Sequence, residues 1–313
     1  MYTIKKGQWI CFAMFFAIST ISPAQQVQDY NLYSQNLYLI NSAFAGYQQS
    51  AAAFFHTRTA HRGLDSSPRN YTVGASATIE AYNIGLGGKF NIDQRGIFQT
   101  FSAEFAVAYK LAYKYKHIFS FGMDMGFVNR SINLDALNDR VNKDDPALTS
   151  DYFNSTRFKS GVGASYVSPT AEVGLALPML VESGEEINTH VVAYGGYKFT
   201  KVDNWLFKPS LYFRTILDGT YQGDVNFLAE WKKTVWIQPG LRSNLTALLS
   251  TGFSFNYGSV GYSFNVYTGA YSKNMDFNWH ELYLVLNLGG NSGKLAFVNS
   301  EKAGKQLQRR RRR

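Results

Sequence analysis

From Ala51 to Gly289 the chain repeats one unit: a run of alternating apolar and polar side chains, then a turn. The clearest case is Phe101 to Tyr113. Phe101, Ala103, Phe105, Val107, Tyr109, Leu111 and Tyr113 hold its odd positions, and Ser102, Glu104, Ala106, Ala108, Lys110 and Ala112 the even ones. A β-strand points successive side chains to opposite faces, so the two sets lie on two sides of one ribbon. One side suits hydrocarbon and the other suits water. Sustained over the chain, this predicts an all-β fold, a transmembrane antiparallel β-barrel. Phe105 is expected to face lipid and Glu104 the lumen.

About fourteen strands are expected, near 51–60, 69–80, 83–92, 98–113, 117–130, 157–167, 170–178, 187–200, 205–216, 222–232, 234–242, 245–255, 257–268 and 279–289. Short turns at Ala81-Tyr82, Lys114 to Lys116, Ser168-Pro169, Lys201 to Asn204, Lys233 and Asn256 alternate with longer connections at 61–68, 93–97, 131–156, 179–186, 217–221 and 269–278. The brief 243–244 connection is the exception. Short turns on one side and longer loops on the other are the pattern of outer-membrane barrels, with the short turns periplasmic. The 16% aromatic content and 27 glycines fit a wall with aromatic girdles and a curved interior.

Residues 1–24 read as an export signal. Lys5 and Lys6 form a charged start, Trp9 to Ile21 a short apolar run, and Ser22-Pro23-Ala24 a small-residue cleavage site before Gln25. The run falls short of the ~18 residues a spanning helix needs. Cys11, the only cysteine, lies inside it, so the mature chain holds no disulfide, thiolate metal site or cysteine nucleophile. The signal lysines, with a tail at 292–313 that ends in Arg309 to Arg313, account for the whole net charge of +9. The barrel body is therefore neutral, which argues against nucleic acid as a partner. The tail is expected to be a flexible, solvated, periplasmic segment.

By parity the lumen face carries Glu104, Lys110, Asp124, Lys159, Glu172, Lys198, Lys208, Arg214, Asp224, Glu230, Lys232 and Glu281. Both signs occur in similar number, whereas an ion-selective pore tends to favour one. The balance predicts ion pairs across a closed or plugged interior; solvated residues in an open channel are the alternative. Trp205 and Trp231 are expected to face lipid beside short turns, and Trp236 to face inward. Trp279 is expected at the outer end of the last strand.

Residues 25–50 do not alternate. Tyr30, Tyr33, Leu37 and Ile40 recur at three- and four-residue spacing, which predicts one face of a short helix, a plug at the periplasmic mouth or in the lumen.

This segment carries a family resemblance. Asp29, Tyr30, Tyr33 and Asn36, then Leu39-Ile40-Asn41-Ser42-Ala43-Phe44-Ala45-Gly46, resemble the opening of the PorP/SprF family of type IX secretion membrane proteins. Ser42 stands where the family pattern has proline. Arg58 to Pro68, with Arg62-Gly63-Leu64 and Ser67-Pro68, is similar to the family's basic-aromatic stretch, and His280-Glu281 to the start of its closing strand. The resemblance implies an outer-membrane protein of a Gram-negative, Bacteroidetes-like cell. It implies a role in type IX secretion and gliding, supporting secretion or surface attachment of a large adhesin with a C-terminal sorting domain. It also implies contact with a periplasmic peptidoglycan-binding lipoprotein.

The residues themselves offer no catalytic, cofactor or metal signature. His56, His61, His117, His190 and His280 lack an H-E-x-x-H spacing, and no G-x-S-x-G elbow occurs. Ser120, Asp124 and His190 are the inward set from which a hydrolase site would have to be built. Gly85-Leu86-Gly87-Gly88 lies within a strand, with no helix after it to make a phosphate loop. The longest loop, 131–156, holds Asp135, Asp139, Asp144, Asp145 and Asp151. A Ca²⁺ site there lacks the EF-hand spacing, so the loop reads as solvated surface and as the first candidate for partner contact. The expected function is therefore non-enzymatic: a secretion and anchoring barrel in outer-membrane lipid. A transport channel for a small or hydrophobic solute, with 25–50 as a movable hatch, is the alternative.

Overall fold

In a computed structural model, residues 30–47, 51–60, 67–113, 117–133, 154–183, 189–202, 204–216, 221–268 and 278–288 are described. The export signal, Asp29, Arg62 to Leu64, the five aspartates of the 131–156 loop and the basic tail lie outside them.

The wall consists of β1 (Ala51–Ala60), β2 (Arg69–Ile79), β3 (Ile84–Arg95), β4 (Phe98–Tyr113), β5 (His117–Ile132), β6 (Ser155–Val167), β7 (Ala171–Glu182), β8 (His190–Tyr197), β9 (Phe199–Val202), β10 (Trp205–Ile216), β11 (Tyr221–Trp231), β12 (Val235–Arg242), β13 (Thr246–Phe255), β14 (Gly258–Tyr267) and β15 (Trp279–Asn287). Apart from β8 and β9, which do not pair with each other, each strand pairs antiparallel with its sequence neighbours, and β15 returns to β1 to close the ring. β8 and β9 both pair with β10 and form one wall position interrupted at Lys198, so the barrel has fourteen strands. Closure leaves no sheet edge, the condition for backbone polar groups to survive in hydrocarbon.

The alternation has the expected consequence. Phe105, Val107, Tyr109, Leu111, Phe121 and Met123 are exposed on the outer surface, while Ser102, Ala106, Ala108, Ser120 and Asp124 are buried inside. Trp205 and Trp231 sit opposite one another in register on the outside, next to short turns, and Trp236 is buried in the lumen. Antiparallel order puts the connections after β2, β4, β6, β9, β11 and β13 at one short-turn end, and the others at a long-loop end.

Several boundaries differ from expectation. The 93–97 connection is not long: β3 and β4 stay paired up to Arg95 and Phe98, and Gly96, at φ +63°, lets the chain reverse there. β7 runs past Pro178 to Glu182, with an irregular register opposite Ser160 and Val162 that accommodates the missing N–H. Ser131, Ile132, Ser155 and Thr156 belong to strands, not to the long loop. Lys232 is not a lumen residue: it is exposed in the β11–β12 turn at φ 49°, with its ammonium 4.6 Å from the Trp231 ring centroid.

The segment 30–47 fills the lumen. It is not one amphipathic helix but three single 3₁₀ turns, Tyr33–Gln35, Leu37–Leu39 and Ser42–Phe44. Asn36 and Asn41 break it, at φ −145° and −154°, and each restarts it by accepting the backbone N–H two residues on. A helix stripe presupposes a wet back face. Here the wall surrounds the chain, and nearly every residue from Tyr30 to Tyr47 is buried.

Candidate functional site

The contact between this plug and the wall is the most elaborate polar site among the described residues. It runs the length of the barrel. Tyr30 and Asn31 lie toward the long-loop end, opposite the outer halves of β1, β2 and β15. Gly46 and Tyr47 lie toward the short-turn end, beside Thr78, Lys110 and Glu172.

At the upper end Glu281 of β15 is the anchor. Its carboxylate accepts the N–H of Asn31 at 3.0 and 2.8 Å and the N–H of Leu32 at 2.6 Å. His56 Nε2 lies 2.8 Å away and Arg58 Nε 3.8 Å away, and Glu281 is fully buried. Burial of a carboxylate is tolerable only with such pairing. Arg58 in turn lies 3.9 Å from the Trp279 ring centroid. The basic stretch that begins at Arg58, the closing strand and the plug thus meet at the barrel seam.

Lower down, Tyr33 stacks on Tyr212 with centroids 4.5 Å apart, and its hydroxyl accepts from Asn226 Nδ2 at 2.6 Å. Ser34 Oγ donates to Gln238 at 2.7 Å, and Lys208 Nζ donates to the Ser34 carbonyl at 3.3 Å. Lys208 and Lys198 share Glu172, which also accepts from the Tyr47 hydroxyl at 2.7 Å. Lys110 Nζ donates to the Gly46 carbonyl at 2.7 Å; Gly46, at φ +64°, holds a conformation that a side chain would strain. Burial pushes the hydroxyls of Tyr33 and Tyr47 well above the usual tyrosine range, so both stay neutral in the seated plug.

The third turn, Ser42–Phe44, rests on a seat of small residues. Strand register aligns Gly85, Ala108, Gly122, Gly163 and Ala176 in one row across β3 to β7. The plug backbone lies directly on this row. A Cβ at Gly122 would fall 2.3 Å from Ala43 N, and one at Gly163 would fall 2.0 Å from Asn41 Oδ1. Asn41 also donates to the carbonyls of Ala164 and Leu175 at 3.1 and 3.2 Å. Its side chain therefore caps the turn and bridges two strands, at the step where Ser42 replaces proline.

The charged lumen residues do form ion pairs, but along the wall between strands one or two positions apart rather than across the lumen. Glu104 is shared by Lys159 at 2.8 Å and Lys89 at 3.3 Å, and Asp224 accepts from Arg242 at 2.8 and 2.9 Å. Of the N-terminal motif, Tyr30, Tyr33, Asn36, Leu39, Ile40, Asn41, Ala43, Ala45 and Gly46 are all buried in the plug. Ser120 and Asp124 face inward, but four residues of strand separate them by ~13 Å. His190 sits on β8, opposite Ile216. The three are not brought together into a hydrolytic set.

The model for the type IX secretion system membrane protein PorP/SprF matches residues 22–286, from the motif through the closing strand. The chain belongs to the PorP/SprF family. No curated protein sequence matches it. Among solved structures, this PorP/SprF barrel is similar to the Acinetobacter baumannii outer membrane protein Omp33, at 8% identity and TM-score 0.48, over 78% of this chain and 100% of that one. It is also similar to CdiB from Acinetobacter baumannii, at 6% identity and TM-score 0.46, over 76% and 60% of the two chains. A mutant Rh. blastica porin aligns at 9% identity and TM-score 0.35, over 75% and 98%. Family and barrel together give the location, the outer membrane of a Gram-negative bacterium.

Sequence reasoning found the motif and most of the charged wall residues but not their joint role. It missed His56, Asn226, Gln238 and Arg242 as plug contacts. The signal that was available is the recurrence of glycine at inward positions of β3, β5, β6 and β7, where a curved wall alone does not require it.

Proposed function

We propose that this PorP/SprF barrel is a non-enzymatic component of type IX secretion and gliding in a Bacteroidetes-like cell. It supports secretion and surface anchoring of a large adhesin through that adhesin's C-terminal sorting domain. The observation that carries this reading is the family match over residues 22–286, together with a lumen filled by the family's own N-terminal motif. A filled lumen suits a binding scaffold better than a conduit. The short-turn end is periplasmic and meets a peptidoglycan-binding lipoprotein, in keeping with the rule for outer-membrane barrels. The long-loop end faces outward and holds the adhesin, with the 131–156 loop and Asp135, Asp139, Asp144, Asp145 and Asp151 as first contacts.

Affinity purification from detergent-solubilised membranes, read by mass spectrometry, tests this. Co-purification of a secreted protein with a C-terminal sorting domain and of a periplasmic lipoprotein is expected. A barrel recovered alone that shows persistent single-channel conductance would overturn the reading in favour of the solute channel.

A further inference from the structure

Among the described residues of the strands, one charged side chain faces outward. Arg69 opens β2. Asn70 and Thr72 after it are buried in the lumen, so Arg69 shares the outer face with Tyr71 and Val73. Arg58, Arg95, Arg130 and Arg242 each face a carboxylate, and Arg157 and Arg214 are engaged as well. Arg69 is exposed and has no partner among the described residues.

Its height decides what it meets. β2 spans 11 residues from Arg69 to Ile79. At a rise of ~3.3 Å per residue and a tilt of ~40°, it climbs ~25 Å, the height of the apolar band of such barrels. Arg69 therefore stands at the upper edge of the band, where a charge on the lipid face costs little, and not at the midplane, where it costs most. At the long-loop end that edge borders the headgroups of the outer leaflet.

The direct cross-strand partners of Arg69 are Thr59 of β1 and Gln94 of β3. Both point outward, are half-buried, and have no side-chain hydrogen bond among the described residues. Opposed Cβ atoms lie ~4.5–5.5 Å apart, so the three side chains can address one headgroup. Below them, register places Val73 between Phe55 and Phe90, and Ala75 between Ala53 and Gly88. The Phe90 ring leans away toward β4, stacked on Phe101 with centroids 6.5 Å apart. A shallow apolar trough thus runs from Arg69 toward mid-membrane, between rings at first and then over small residues.

We propose that Arg69, Thr59 and Gln94 form a site for a phosphorylated glycolipid of the outer leaflet. The guanidinium takes the phosphate through two parallel charge-assisted bonds, the geometry arginine suits. The Thr59 hydroxyl and the Gln94 amide, each able to donate and accept, take sugar hydroxyls. They stand two strand spacings apart, ~10 Å, which a sugar headgroup spans and a phosphoglycerol does not. An acyl chain lies in the trough. This goes beyond the secretion reading and does not depend on it.

The test is native mass spectrometry of the purified full-length barrel in neutral detergent. The probes are a hexa-acylated glucosamine disaccharide carrying one phosphate, its dephosphorylated form and phosphatidylglycerol, with inorganic phosphate as competitor. The phosphorylated glycolipid should bind at least tenfold tighter than the dephosphorylated form. Arg69→Gln should erase that preference and Arg69→Lys restore part of it. Arg95→Gln, which removes an arginine of the lumen side, should leave it at the wild-type value. Heat-modifiability on gels reports that each variant is folded. Equal binding of the two glycolipids, or a preference that survives Arg69→Gln, overturns the proposal. Phosphatidylglycerol that binds as tightly overturns the sugar headgroup, and inorganic phosphate that displaces the glycolipid at equal concentration overturns the lipid source.

Discussion

Replacing Gly122 and Gly163 by valine tests whether the plug is held by close approach to the wall. Ordinary carbon contacts lie near ~3.5 Å. The first atom of a side chain at Gly122 would stand 2.3 Å from the Ala43 nitrogen, a backbone atom that cannot yield alone. The third turn must therefore withdraw by ~1 Å, and overpacking of this kind costs about 1–3 kcal/mol. Withdrawal also pulls Asn41 from the carbonyls of Ala164 and Leu175, each bond worth about 1 kcal/mol. The total of about 3–5 kcal/mol shifts the seated-to-unseated ratio by roughly a hundredfold to a few thousandfold. The wall keeps its ladder bonds, because both new side chains point into the lumen. The double variant should run as a folded, heat-modifiable barrel. Planar-bilayer recording should show raised conductance, and chymotrypsin should gain access to Tyr33, Tyr38 and Phe44. A folded variant that stays closed and protease-resistant would refute the reasoning.

Other consequences follow from the same geometry. Phe105→Arg puts a charge on the lipid face and should cost about 2–4 kcal/mol in assembly, whereas Glu104→Gln should leave the barrel able to assemble; urea titration in vesicles reads both, and the opposite order would overturn the register of β4. Glu281→Gln leaves His56 and Arg58 facing a neutral amide and weakens the bonds from Asn31 and Leu32; losing a buried partner of this kind costs about 3–5 kcal/mol, and an unchanged thermal midpoint would count against Glu281 as the anchor. Alkaline pH should loosen the plug. Tyr33 and Tyr47 are held neutral when seated, so the stability they add is whole below the unfolded tyrosine value of ~10 and falls as pH rises above it toward their raised values. Conductance flat up to about pH 11 would contradict this.

The barrel was legible because a period of two is local: each strand carries its own two faces. β1, β4 and β10 begin and end where the alternation does. What could not be read depends on neighbours distant in sequence. The extension of β7 through Pro178 rests on pairing with β6, and the brevity of the Gly96-Ile97 turn on how far β3 and β4 stay in register. The spacing of Tyr30, Tyr33, Leu37 and Ile40 suggested a helix because a stripe normally implies water on the far side; inside a lumen that premise fails. The small-residue row exists only once five strands are aligned, so no single strand displays it.

The seam anchor bears on the order in which such a barrel is made. Glu281 is 250 residues from the Asn31 amide it receives, and it lies on the last strand to leave the export machinery. His56 and Arg58 are on the first strand, and β1 meets β15 only when the ring shuts. The upper plug therefore has no finished binding site while the sheet is still open. Contacts so far apart in sequence form late, since the loop entropy between them must be overcome first. Ring closure and plug capture thus become one cooperative step, and an incompletely zipped barrel reveals itself by an N-terminal segment that has not yet been locked.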